Sequence, residues 1–139
     1  MLTTLQAIHD ESTKLVATME QFTRAATPPA RDALTSLRWQ LTRLHAKRRR
    51  LLFTTVYPAL TNLSEPDAER VKALRDDDVV MMAASSRHIQ DWTVERIYAD
   101  WPGYQAAAAT MLGNTRARLA RERKILFPLL TQAPLPLVA

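Results

Sequence analysis

The sequence predicts an all-α fold, an antiparallel up-down four-helix bundle, from three observations. Apolar residues recur at steps of three and four along four long segments, which places them on one face of a helix. Helix-start residues stand before these segments and prolines stand near their ends. Only two glycines occur in 139 residues, and no segment alternates polar and apolar as a half-buried strand does. Long amphipathic segments with short connections bury their stripes by packing antiparallel.

The first helix is predicted from about Leu5 to Ala25, with Thr3 or Thr4 as its cap. Its stripe is Leu5, Ile8, Leu15, Val16, Met19 and Phe22, and Thr27-Pro28-Pro29 forces a turn after it. The second runs from about Ala30 to Leu60 on Leu34, Leu37, Leu41, Leu44, Leu51, Leu52, Thr55 and Val56, with Pro58 placed to kink or end it. Ser64-Glu65-Pro66-Asp67 opens the third: a serine cap, a proline in the first turn and an acid at the third helical position. That helix extends to about Trp92 on Val71, Leu74, Val79, Met81, Met82, Ile89 and Trp92, before a short irregular or helical stretch from Thr93 to Ala99. Asp100-Trp101-Pro102 opens the fourth, whose stripe is Tyr104, Ala108, Met111, Leu112, Leu119, Ile125, Leu126 and Leu129. Ala106–Ala109 and Gly113 are small enough for a neighbouring helix to approach closely, and Pro128 is expected to end the helix. One domain over residues 1–130 follows, with a proline-rich tail over 131–139 that is not expected to be regular.

Composition narrows the function classes. The chain is 47% apolar and 24% charged, ordinary for a globular domain. With no cysteine it has no disulfide, thiolate metal site or thiol nucleophile, which fits a reducing cytoplasm. The N-terminus has neither a basic region nor an apolar core of a secretory signal, and no apolar run approaches the roughly 18 residues that span a bilayer, so no membrane partner is expected. The net charge of +5 comes from basic clusters at Arg43–Arg50 and Arg116–Lys124, set against acids from Glu65 to Asp78. Alternating charge of this kind marks a charged helical surface rather than a nucleic-acid footprint, and few aromatics accompany Lys47-Arg48-Arg49-Arg50 for stacking on bases. No phosphate loop, nucleophile elbow or H-E-x-x-H motif occurs, so no enzymatic activity is expected.

The informative residues are polar ones at inward phase: His9, Arg48, Asp78, Ser85, Arg118 and Glu122. A buried charge costs several kcal/mol unless paired. Arg48 and Arg118 therefore either snorkel to water from the stripe edge or join a cross-helix network with Glu122 and Asp78. A residual metal site is the third alternative.

Two helix endings give these positions a context. Arg121-Glu122-Arg123-Lys124-Ile125-Leu126-Phe127-Pro128-Leu129 and Leu52-Phe53-Thr54-Thr55-Val56-Tyr57-Pro58-Ala59-Leu60 resemble the E-[DE]-x-x-L-[FY]-P endings of the hemerythrin-like (HHE cation-binding) family. Arg38-Trp39 and Asp100-Trp101 are similar to pairs in short bacterial members, and the likeness spans about Leu5 to Leu130. The resemblance implies a four-helix bundle around a non-haem di-iron centre held by histidines and carboxylates. It also implies a ligand histidine ten residues before each of these prolines and a bridging glutamate six before. In this chain those positions hold Arg48 and Leu52, then Arg118 and Glu122; the first-helix histidine is His9. Two of the five positions keep a ligand type, His9 and Glu122.

Arginine has no lone pair for a metal, and Leu52 removes an anion where two cations need one. The expectation is therefore a non-enzymatic bundle without cofactor, in a binding, regulatory or structural role, with a protein partner or a second copy of the chain as possible company. The alternative is an oxygen- or redox-sensing protein with non-haem iron on a reduced site of His9, His45 and Glu122, aided by Asp10, Asp78 or His88. Among the tryptophans, Trp39, Trp92 and Trp101 at helical phase are expected in a core or interface.

Overall fold

The computed structural model describes residues 1–132, and every described secondary-structure element is helical. The elements are α1 (Leu2–Arg24), α2 (Arg31–Leu51), a π-helical turn (Leu52–Val56), α3 (Tyr57–Ala59), α4 (Glu65–Asp91), α5 (Val94–Ala99) and α6 (Trp101–Gln132). Helix α1 packs against both α2 and α6, and α4 packs chiefly on α6. Among the described residues no helix is long and apolar enough to cross a membrane.

Two apolar clusters form the core. One gathers Val16 and Met19 of α1, Leu34, Leu37 and Leu41 of α2, Trp92, Ile97 of α5, and Trp101, Tyr104, Ala108 and Leu112 of α6. The other gathers Leu5, Leu52, Val56, Tyr57, Val71, Leu74, Leu126 and Leu130. The buried polar residues His9, Ser12, Arg48, Asp78, Arg118 and Glu122 lie in sequence between the two sets on every long helix.

Several boundaries differ from the sequence expectation. Helix α1 begins at Leu2, with Met1 at the cap position and no side-chain cap, so neither Thr3 nor Thr4 caps it. The half-buried Leu2 packs on the second cluster, and that burial draws the helix past its hydroxyl signal. Pro58 stands one residue before the helical run ends, in keeping with its expected place near the end of the segment, but the route to that end differs. The helix widens into the π turn, where the Tyr57 N–H bonds the Leu52 carbonyl, and closes at Ala59. In a regular helix the Pro58 ring would strike the Thr54 carbonyl, and the wider turn moves that carbonyl aside. Pro128 lies inside α6, which continues to Gln132. A proline in the last turn forfeits one backbone bond, and the burial of Leu126 and Leu130 on either side offsets that loss. Thr131 and Gln132, expected in the tail, are therefore helical, while residues 133–139 of that tail lie outside the described residues.

The third helix differs most. Its inward row is Val71, Leu74, Asp78, Met81, Ser85, His88 and Trp92, at steps of three and four. Val79, Met82 and Ile89, expected in the core, fall off that row and are 59%, 44% and 43% exposed. Trp39 is likewise outside the core at 61% exposure, while Trp92 and Trp101 are buried. Gly113 admits no close neighbour, since a Cβ there would meet open space. Gly103 is the glycine with a packing reason: a Cβ would run into the Asp100 carboxylate, which folds over the start of α6 and accepts the Gly103 N–H at 3.0 Å.

Helix ends are satisfied largely from neighbouring elements, as their orphan groups require. Gln105 donates to the Thr23 carbonyl at 2.7 Å and Trp101 Nε1 to that of Ala25 at 3.0 Å, closing the end of α1. Arg38 donates to the Trp92 carbonyl at 2.7 Å, closing the end of α4. Thr93 caps α5 through the Arg96 N–H. At the start of α4 the Ser64 hydroxyl accepts the Asp67 N–H at 3.3 Å. Ser64→Ala is expected to cost about 1 kcal/mol, read as a lower urea midpoint at unchanged slope.

Candidate functional site

The centre of the molecule is a carboxylate held by three partners. Glu122 comes from α6, one turn after Arg118, and is fully buried. Its Oε1 takes a hydrogen bond from His9 Nε2 of α1 at 2.9 Å. Its Oε2 takes two guanidinium bonds, one from Arg48 of α2 and one from Arg118 Nε at 2.6 Å. Arg118 and Arg48 are only 1% and 4% exposed, so neither snorkels to water.

Helix α4 supplies the second anion. Asp78 Oδ2 lies 2.9 Å from Arg118 Nη2, and its Oδ1 lies 3.6 Å from Arg48 Nη2. These are charge contacts rather than aligned hydrogen bonds. Arg118 also donates from Nη1 to the Leu74 carbonyl at 2.8 Å and from Nη2 toward the Tyr57 hydroxyl at 3.4 Å. At the rim Asp77 Oδ2 accepts from Arg121 at 2.6 Å and faces Arg118 Nη1 at 3.5 Å. Two guanidiniums and two carboxylates thus join α2, α4 and α6, and His9 ties in α1.

Burial and pairing pull these groups in different directions. Burial pushes the Glu122 carboxyl up, but the His9 hydrogen bond and the Arg48 and Arg118 charges outweigh it and hold it below the usual range. Asp78 goes the other way: burial dominates, Glu122 adds repulsion, and Arg48 and Arg118 only partly compensate. Burial lowers Arg118, but Glu122 and Asp78 more than restore it, and it stays charged. Burial of Tyr57 raises its hydroxyl well above the ordinary value.

An ionised Glu122 accepts, so His9 donates from Nε2, and its buried Nδ1 has no partner among the described residues. The ring is fixed against Phe127, with centroids 5.1 Å apart. Ser12, one turn further along α1, buries a hydroxyl with no partner among the described residues.

Of the predicted positions, the structure brings together His9, Arg48, Arg118 and Glu122. Leu52 is fully buried one turn away, in the apolar cluster with Leu5 and Val56. His45 is not placed with His9 and Glu122. It makes no hydrogen bond to either and stands on a cavity wall one turn before Arg49. Its pKa is lowered to about 4 by burial, then by the Arg48 and Arg49 charges, with Glu122 opposing. His88 stacks on Tyr104 at 5.9 Å, and Asp10 is exposed. Tyr57 and the Leu74 carbonyl were not foreseeable partners, since backbone acceptors carry no sequence signal and Tyr57 reads as part of an apolar ending.

No family model, no curated protein and no solved structure matches this chain.

Proposed function

We propose that this protein is a non-enzymatic, metal-free four-helix bundle of hemerythrin-like descent, whose centre is held by charge pairing and whose role is binding. The observation that carries the reading is the convergence of Arg48 and Arg118 on one oxygen of Glu122 while His9 takes the other. The guanidiniums stand where the family resemblance places ligand histidines. They offer no lone pair, repel a cation and occupy the carboxylate that would bind it. A di-iron centre does not fit this donor set, and among the described residues no three His, Asp or Glu side chains converge as a metal ion requires.

The order of the core residues supports the up-down arrangement. Helices α1 and α4 pass from the Leu5–Leu74 cluster to the Val16–Trp92 cluster along the chain, and α2 and α6 pass the opposite way. Consecutive long helices of an antiparallel bundle run in this alternating sense.

The test is elemental analysis of protein purified after growth with added iron and manganese. Far less than one metal per chain is expected, with an unchanged near-ultraviolet spectrum on titration with ferrous iron. Stoichiometric metal that is lost in His9→Ala and in Glu122→Gln would overturn the reading in favour of a reduced iron site.

A further inference from the structure

Beside the charged layer a cavity of about 130 Å³ opens between α2, α4 and α6. It exists because the second half of α4 turns Ser85 and His88 inward where the other helices offer leucine. Leu41, Met82, Ile89, Met111 and Leu112 supply its apolar wall, with Met19 from α1. Polar groups line it from three helices, Thr42 and His45 of α2, Ser85, Ser86 and His88 of α4, and Thr115 of α6, while its two guanidiniums, Arg38 and Arg49, both come from α2.

These groups are not equally engaged. The Thr42 and Thr115 hydroxyls donate to carbonyls of their own helices, and Arg38 is bound to the Trp92 carbonyl. Arg49 has no hydrogen bond and no carboxylate within salt-bridge distance among the described residues, although it is half-buried. Its burial and the Arg48 charge lower its pKa; the Asp78 charge opposes them without making a salt-bridge contact. A half-buried cation without an anion is costly, and a ligand that brings the anion recovers that cost. Three thioethers in the wall would suit a soft cation, but the Arg38 and Arg49 charges oppose one.

We propose that this cavity binds a small organic carboxylate with an apolar body, its carboxylate on Arg49 and His45 and its body among Leu41, Met82 and Met111. Arg49 and His45 stand one turn apart on α2, so one carboxylate can meet both. Apolar cavities of roughly 150 Å³ accept benzene. The volume here is slightly smaller but opens to solvent, so it holds a phenyl-sized or short branched apolar body with the carboxylate at its mouth. The inference deepens the binding role given above but rests on the cavity alone. Metal at Glu122 would overturn that reading and leave this one standing.

Methyl NMR of methionine-labelled protein tests it directly. Met19, Met82 and Met111 line the cavity, Met81 is outside its lining, and Met1, at the opposite end of α1 from Met19, serves as the internal control. Titration with benzoate is expected to shift those three signals saturably and leave Met1 unmoved. Benzyl alcohol, matched in size but neutral, should bind at least about tenfold more weakly, as loss of a charge-assisted contact implies. Arg49→Gln should weaken benzoate by about 10- to 100-fold. Met82→Trp, at a half-exposed position on the rim, should block binding while the protein stays folded. Absence of a saturable shift, equal binding of benzyl alcohol, or full benzoate binding to a folded Arg49→Gln or Met82→Trp protein would each overturn the proposal. The benzyl alcohol comparison uses the unaltered protein and decides the matter even where a variant does not fold.

Discussion

Glu122→Gln is expected to destabilise the protein by about 3–5 kcal/mol, the cost of breaking a buried ion pair from one side. The substitution keeps the side-chain shape, so no cavity opens and the loss reports charge. Without the carboxylate, Arg48 and Arg118 face each other with only Asp78 between them, and Asp78 holds them by contacts of 2.9 and 3.6 Å that lack hydrogen-bond alignment. The amide nitrogen of glutamine adds a donor to a site already crowded with donors. Replacing the four charges together, Arg48→Met, Asp78→Leu, Arg118→Leu and Glu122→Leu, should bring stability back to within about 2 kcal/mol of the unaltered protein, because an apolar layer of similar volume carries no desolvation cost. Urea unfolding followed by circular dichroism measures both. A loss below about 1 kcal/mol for Glu122→Gln would mean that the charge layer does not hold the helices.

The second expectation is acid lability set by His45. Its folded pKa is about 4 and its ordinary value is 6.5, so the folded state refuses a proton that the unfolded state takes. Stability from this group is fully present above pH 6.5 and is lost as the pH falls toward 4. A tenfold difference in proton affinity between the two states is worth about 1.4 kcal/mol, so up to about 3 kcal/mol is at stake across that window. Arg48 and Arg49 from α2 resist the protonation and Glu122 from α6 favours it, with burial outweighing all three. His88, lowered by burial and by Arg38, contributes in the same direction. Asp78 acts oppositely: its raised pKa gives stability that is present at low pH and lost as the pH rises. His45→Leu should therefore flatten, though not abolish, the decline of the unfolding free energy between pH 6.5 and 5. A decline as steep as that of the unaltered protein would remove His45 as its origin.

Much of the fold was legible because helical periodicity and capping are local. Ser64 and Asp100 cap α4 and α6 as their sequence context predicts, since a cap needs only its own next three residues. Leu34, Leu37, Leu41 and Leu44 could be placed inside by spacing alone. The prolines were legible as perturbations but not in their outcome. Whether Pro58 kinks, widens or ends a helix depends on what the flanking residues bury, and Pro128 was overridden by Leu126 and Leu130. Stripe reading held in α4 for Val71, Leu74 and Trp92 and failed for Val79, Met82 and Ile89, where two apolar rows compete. The row through Met82 and Ile89 is the more apolar, yet the row through Asp78, Ser85 and His88 turns inward, because Val71 and Leu74 set the phase and Asp78 meets two arginines.

Residues alone determined that the chain is helical, that it has no cysteine chemistry, and that Arg48, Arg118, Glu122 and His9 fall at inward phase. These follow from composition and a period of 3.6 residues. Only the tertiary structure decided which of them touch. Glu122 and His9 are 113 residues apart in the chain and Arg48 is 74 from Glu122, so their meeting depends on how the helices pack. The same packing left Arg49 with no carboxylate in salt-bridge contact among the described residues, beside a largely apolar cavity. No spacing rule announces that arrangement, because it arises where helices fail to fill the space between them.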